Sequence, residues 1–273
     1  MGKVNLFDIS GKVIVITGGA GALGGNMASY LLTHGARVVI LDLFPESVET
    51  RVAELKKISP DIFGVPGSVL DKDHLQKARS VILEKWKKID VLINAAGGNM
   101  PGATIGEDQT IFDLKMEDFK KVSELNLNGS VLPSMIFGEV MAGQSFGSIV
   151  NISSMTATQA VTRVVGYSAS KAAIDIFTKW MATEMALKFN GSVRVNAIAP
   201  GFFIGNQNRA LLTNSDGSYT ERGNTIISNT PMKRFGDADE LNGTIHWLIS
   251  DAASFVTGTI VPIDGGFSAF SGV

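Results

Sequence analysis

The chain has 273 residues, 45% of them hydrophobic and only 18% charged, with a formal net charge of −2. That balance suits a compact chain with a large core. It excludes a disordered polymer and a basic surface that would recruit nucleic acid or an anionic membrane. With no cysteine, a disulfide framework, a zinc knuckle and a thiol nucleophile are excluded as well.

In chain order, the opening stretch is polar and short of apolar residues, so no secretory leader is expected. Short, nearly continuous apolar runs then recur at Val13–Thr17, Arg37–Asp42, Ile62–Val65, Val91–Asn94, Ser148–Ile152, Val193–Ile198 and Thr259–Ile263. Each has the length and β-branched content of a strand covered on both faces. Between them lie stretches with helical spacing: Leu23–His34, Glu46–Ile58, Asp71–Lys87, Met116–Met141, Tyr167–Phe189 and Asp237–Ser250. This alternation predicts a Rossmann-type, doubly wound α/β fold: a parallel sheet of about seven strands with helices on both faces. No linker or repeat divides the chain, so residues 1–273 are read as one domain. No apolar run approaches the ~18 residues of a membrane span, and a cytoplasmic protein is expected. The three histidines, His34, His74 and His246, are far apart on or beside predicted helices, where packing or surface roles are expected and no metal site is.

Two connections break the rhythm: Gly97–Lys115 after the fourth strand and Gly201–Arg234 after the sixth. Connections of this length in a compact domain are usually functional. Both follow strand carboxyl ends, where open α/β sheets bind ligands.

The first strand runs into TGGAGALGG, Thr17–Gly25, and then a helix. Glycines let the backbone turn tightly and approach a pyrophosphate, which sits on the helix N-terminus. Gly18, Gly21, Ala22, Leu23 and Gly24 are the predicted contacts. Asp42 closes the second strand, where a carboxylate can accept hydrogen bonds from both adenosine ribose hydroxyls and would repel a 2′-phosphate. NAD is therefore expected over NADP. No Arg or Lys lies between Asp42 and Arg51 to clamp such a phosphate. The fourth strand ends in Asn94, Ala95, Ala96 and Gly97, small enough to let a cofactor pass close.

The fifth strand leads to Ser154; thirteen residues on comes Tyr167, and four further Lys171. On a helix, i and i+4 share a face. A phenol near pKa ~10 is a poor acid or base at neutral pH. A neighbouring ammonium favours its phenolate, and a serine hydroxyl can hold a substrate oxygen.

Together these motifs resemble the short-chain dehydrogenase/reductase family over essentially the whole length. The resemblance rests on Thr17–Gly24, NAAG at Asn94–Gly97, NLNG at Asn126–Gly129, Ser154, YSASK at Tyr167–Lys171, NAIAPG at Asn196–Gly201 and DGG at Asp264–Gly266. It implies that Tyr167 is the general acid/base and that Lys171 lowers its pKa and holds the nicotinamide ribose. It further implies that Ser154 positions the substrate oxygen and that Asn126 kinks its helix and holds a relay water. Pro200 and Gly201 would flank the nicotinamide, and a homotetramer is implied. The chain departs from the family pattern at Ala22, where a glycine is usual, at Ser68, where an aspartate is usual, and at Gly205, where a threonine is common.

Within the family the chain resembles most the D-mannonate oxidoreductases, or fructuronate reductases, through Gly97–Thr104, Phe112–Val122, Ala199–Asn214 and the tail from Asp264. That implies interconversion of a sugar-acid ketone and alcohol, with other polyols or sugar acids, such as the substrate of a gluconate 5-dehydrogenase, as the alternative. A non-catalytic NAD-binding regulator is a more distant one. A sugar acid needs a cation for its carboxylate and amides for its hydroxyls. Arg209 with Asn206, Gln207 and Asn208, together with Arg163 and Asn99, are the candidates.

Overall fold

The computed structural model describes residues 5–205 and 208–272. Asn206 and Gln207, named above as substrate amides, lie outside the described residues. Seven parallel strands form one sheet in the order β3-β2-β1-β4-β5-β6-β7. They are β1 (Val13–Thr17), β2 (Arg37–Asp42), β3 (Ile62–Pro66), β4 (Val91–Asn94), β5 (Gly147–Ile152), β6 (Val193–Pro200) and β7 (Ile260–Ile263).

The helices are α1 (Ala22–Thr33), α2 (Pro45–Leu55), α3 (Lys72–Trp86), α4 (Met116–Ser123), α5 (Gly129–Gln144), α6 (Val165–Lys188), α7 (Arg209–Leu212), α8 (Glu221–Asn229) and α9 (Asn242–Ile249). Met27 and Leu31 of α1, Val48 of α2 and Ile245 of α9 pack with Ile14, Ile16 and Ile40 on one face of the sheet. Leu75 of α3, Phe137 of α5 and Met181 of α6 pack with Val13, Val15 and Leu92 on the other. Successive strand residues point to opposite faces, so covering both faces requires continuous apolar runs. All five residues of β1 are accordingly buried. This is the predicted Rossmann-type architecture.

Two expectations are corrected. The Met116–Met141 stretch is not one regular helix: residues Glu124–Asn128 form a wider π-helical turn between α4 and α5. Such turns arise where one residue too many must be accommodated, and they re-aim side chains, often at functional sites. The Gly201–Arg234 segment is not a bare loop. It contains α7 and α8, with a small core of Leu212, Ile226 and Phe235 against Phe202, Ile204 and Ile227. Its apolar residues were masked in the sequence by short polar spacers.

The sheet order reverses its winding between β1 and β4, opening a crevice at their carboxyl ends. There the Thr17 hydroxyl oxygen accepts the backbone N–H groups of Ala95 and Ala96, each at 3.1 Å, locking the two strand ends together.

Candidate active site

The glycine-rich turn is built for close approach. Gly18 sits at φ 66, a conformation that favours glycine, and a Cβ there would lie 2.8 Å from Ala95 and Ala96 backbone atoms. A Cβ on Gly24 would stand 2.4 Å from the Gly18 carbonyl oxygen. α1 begins at Ala22 without a side-chain cap, so the N–H groups of Ala22, Leu23 and Gly24 have no intrahelical acceptor. Those donors and the helix dipole fit the pyrophosphate of a dinucleotide. The departure at Ala22 is harmless here, because that position is the first helical residue.

At the end of β2, the Asp42 carboxylate accepts N–H from Ala20 at 2.9 Å and from Leu43 at 2.7 Å. It is partly exposed, so free lone pairs remain for a ribose. One feature was missed in the sequence: Arg51 of α2 reaches back over Gly25 and donates to the Ala20 carbonyl at 3.3 Å. Its distance from the glycines in sequence hid this contact.

Asn94 corrects an expectation. Its buried amide donates to Ser134 and to Asn151, both at 2.8 Å, and so pins β4 to α5 and β5 rather than facing the cleft. The backbone that follows, at Ala95 and Ala96, stands against Gly18 of the glycine-rich turn. Gly97 has φ 155, and a Cβ on it would sit 2.7 Å from Asn126 Oδ1 and 3.6 Å from Lys171 Nζ. Three predicted residues, from the β4 connection, the π turn and α6, therefore converge at one point. The π turn delivers Asn126 to it. The Asn126 amide accepts the Gly98 N–H at 3.0 Å and donates to the carbonyls of Gly98 and Val122, both at 2.8 Å.

Ser154 lies two residues past the end of β5, and α6 carries Tyr167 and Lys171. Ser154 and Lys171 are buried, and Tyr167 is half-buried. The Lys171 ammonium donates to the Ile152 carbonyl at 2.6 Å and lies 5.4 Å from the Tyr167 ring centroid. Burial pushes Lys171 down to about 8, with the Asp175 carboxylate opposing the fall. Burial also raises the Tyr167 phenol above its ordinary value, while a hydrogen bond with Ser154 pulls the other way. The net direction for the phenol is upward, contrary to the expected lowering by Lys171. The physical reason is that desolvation of the phenolate outweighs its one hydrogen bond.

Asp175, one helical turn past Lys171, was not anticipated. Ser153 donates to it at 2.5 Å, tying the strand end beside Ser154 to the helix that holds Tyr167 and Lys171. Burial raises the Asp175 carboxyl; the Ser153 hydrogen bond and the charges of Lys179 and Lys171 oppose that. On the other side of the crevice, Pro200 is buried at the end of β6, and the Gly201 N–H donates to Ile263 at 2.9 Å. A Cβ on Gly201 would strike Asp264 at 2.7 Å.

The predicted substrate residues divide. Asn99 lies in the β4 connection; it donates to Thr104 at 2.6 Å, and its buried Oδ1 has no partner. Arg163 is not free: its Nε donates to the Ile105 carbonyl at 2.8 Å and its Nη1 pairs with Glu107 at 3.1 Å. Asn208 accepts the Gly205 N–H and donates to Phe203, both at 2.8 Å, so its amide holds its own turn. Arg209 is exposed at the start of α7. Arg222 of α8, absent from the predicted set, instead reaches Thr162.

A crevice at the switch point, a glycine cradle and a Ser–Tyr–Lys group from the β5 connection and α6 define a dinucleotide-dependent oxidoreductase site. The chain belongs to the short-chain dehydrogenase/reductase family: residues 18–268 match the adh_short_C2 family model, described as enoyl-(acyl carrier protein) reductase. It is 43% identical over 275 residues to the "Uncharacterized oxidoreductase UxuB" of Bacillus subtilis, covering 97% of this chain and 98% of that protein. A crystal structure of a provisionally named D-mannonate oxidoreductase from Haemophilus influenza, with bound NAD, superposes with a TM-score of 0.91. It is 39% identical and covers 97% of this chain and 98% of that one. The 2-dehydro-3-deoxy-D-gluconate 5-dehydrogenase of Formosa agariphila is 32% identical over 271 residues, covering 99% and 97%.

Proposed function

We propose that this protein is an NAD(H)-dependent oxidoreductase that interconverts a sugar-acid ketone and its alcohol, with D-fructuronate and D-mannonate as the pair. The observation that carries the reading is the buried Lys171 ammonium, 5.4 Å from the Tyr167 ring centroid and close to Gly97, with Ser154 buried just past the end of the neighbouring strand.

The bound nicotinamide supplies or accepts the hydride. In reduction, Tyr167 is held neutral and hands its proton to the substrate oxygen as negative charge develops there. Ser154 hydrogen-bonds that oxygen and orients it. Lys171, held by the Ile152 carbonyl, offers positive charge to the phenolate left behind. Asn126 fixes Gly98 and the floor of the site, and Asp42 receives the adenosine ribose. Helices α7 and α8, with their small apolar core, follow β6 and would cover the substrate.

The likeness to the Haemophilus structure supports the mannonate reading. A second sugar-acid reading, oxidation at C5 of a gluconate, is favoured by the Formosa relative. NADH absorbance with purified protein, D-fructuronate and 5-keto-gluconates separates them. Tyr167→Phe should lower turnover by at least about a hundredfold, the scale of losing a positioned acid; unchanged turnover refutes the mechanism. The exposed Ile176, Trp180 and Leu187 on α6, with Met135 on α5, support a self-association face in a homotetramer. Light scattering on the purified protein tests it, and a monomer refutes it.

A further inference from the structure

The connections that leave β4, β5 and β6 meet at two guanidinium groups. Arg163, in the turn before α6, has φ 79, a left-handed backbone that a bulky residue adopts only when its surroundings impose it. The imposing contact is reciprocal: Arg163 Nε donates to the Ile105 carbonyl at 2.8 Å, and the Ile105 N–H donates to the Arg163 carbonyl at 3.0 Å. This clasp joins the β4 connection to the β5 connection four residues before Tyr167. From the β6 connection, Arg222 of α8 reaches the same turn. It makes two long contacts with Thr162, to its hydroxyl at 3.3 Å and its carbonyl at 3.5 Å.

Arg222 is partly buried, and burial together with the charge of Arg163 pushes it below its ordinary value. Two like charges held close on partly buried side chains repel, and the arrangement favours an anion between them. Among the described residues the Glu107 carboxylate faces the pair, bound to Arg163 at 3.1 Å with its side chain 86% exposed. A guanidinium fork matches a carboxylate in geometry, and most of the Arg222 donors have no partner of that kind.

We propose that Arg222 and Arg163 form the subsite for the substrate's carboxylate, and that Glu107 rests on it until that carboxylate displaces it. This deepens the sugar-acid reading above and rests on it. Arg209, the sequence-based candidate for this role, is exposed on α7 and is not part of the pair.

The test compares D-fructuronate with the neutral ketose D-fructose under NADH. In Arg222→Gln, the preference for the acid, measured as the ratio of kcat/KM values, should fall about tenfold or more, the scale of one charge-assisted contact. The loss should sit in KM of the acid. Glu107→Gln should move the other way and lower KM for the acid, because a competing carboxylate has gone. Arg222→Lys keeps the charge without the fork and should fall between.

A wild type that prefers the neutral ketose overturns the sugar-acid reading and the subsite with it. A wild type that prefers the acid, with that preference intact in Arg222→Gln or a raised KM in Glu107→Gln, overturns the subsite alone. Should no ketone be turned over, calorimetric titration of D-mannonate into the protein with NAD decides. A Kd weakened in Arg222→Gln supports the subsite; an unchanged Kd, or no binding to the wild type, overturns it.

Discussion

Lys171→Met should make the cofactor-free protein more stable at neutral pH while removing its activity. Lys171 is 4% exposed and its ammonium sits at about 8 instead of the ordinary 10.5. Keeping it charged in the fold at pH 7 therefore costs about 3 kcal/mol, at 1.36 kcal/mol per pH unit. Methionine fills similar space without the charge, but forfeits the 2.6 Å hydrogen bond to Ile152, worth roughly 1 kcal/mol. The net gain is about 1–2 kcal/mol, or a Tm rise of about 2–6 °C for a chain of this size.

The sign with pH follows from proton counting. Between about 8 and 10.5 the unfolded chain holds a proton at Lys171 that the folded chain has released, so wild-type stability rises with pH across that window. The penalty is complete below about 8 and gone above 10.5. The variant's advantage should therefore be largest at pH 7 and vanish by pH 10. Thermal unfolding of both proteins without cofactor, at pH 7, 8.5 and 10, measures it. A variant less stable at pH 7, or an advantage that does not shrink with pH, refutes the claim that Lys171 is a desolvated charge.

Asp42→Ala should weaken NADH about tenfold and narrow the gap between NADH and NADPH, because the acceptor for the ribose and the repeller of a 2′-phosphate are lost together. Paired KM measurements check this, and an unchanged ratio counts against it. Asp175→Asn removes the charge that holds Lys171 up, so Lys171 should titrate lower and the alkaline fall in reductase kcat/KM should begin about half to one pH unit earlier. A pH profile with an unmoved limb would leave Asp175 only its tie to Ser153. Gly97→Ala places a Cβ 2.7 Å from Asn126 Oδ1 at φ 155 and should lower kcat about tenfold or more, with circular dichroism still reporting a folded protein. Full activity would mean that the Asn126–Gly98 contact is dispensable.

The α/β architecture was legible in the sequence because its signal is local. A strand covered on both faces needs an unbroken apolar run, and a helix needs its own period, whatever lies across the sheet. Val13–Thr17 and Lys171 four residues past Tyr167 are of this kind, and both stand where the sequence placed them. The glycine cradle was legible too, since backbone approach admits few residue types.

What the tertiary structure alone decided is where each polar side chain spends its hydrogen bonds. Asn94 looked like a cleft residue and proved to be a pin between buried strands. Arg163 was a candidate for the substrate and is clasped to Ile105, while Arg222, 59 residues away in sequence, reaches the same turn. The upward direction of the Tyr167 phenol also follows from burial, which neighbours in sequence do not report. Periodicity is a property of consecutive residues, whereas desolvation and charge pairing depend on which distant segments the fold brings within a few ångströms.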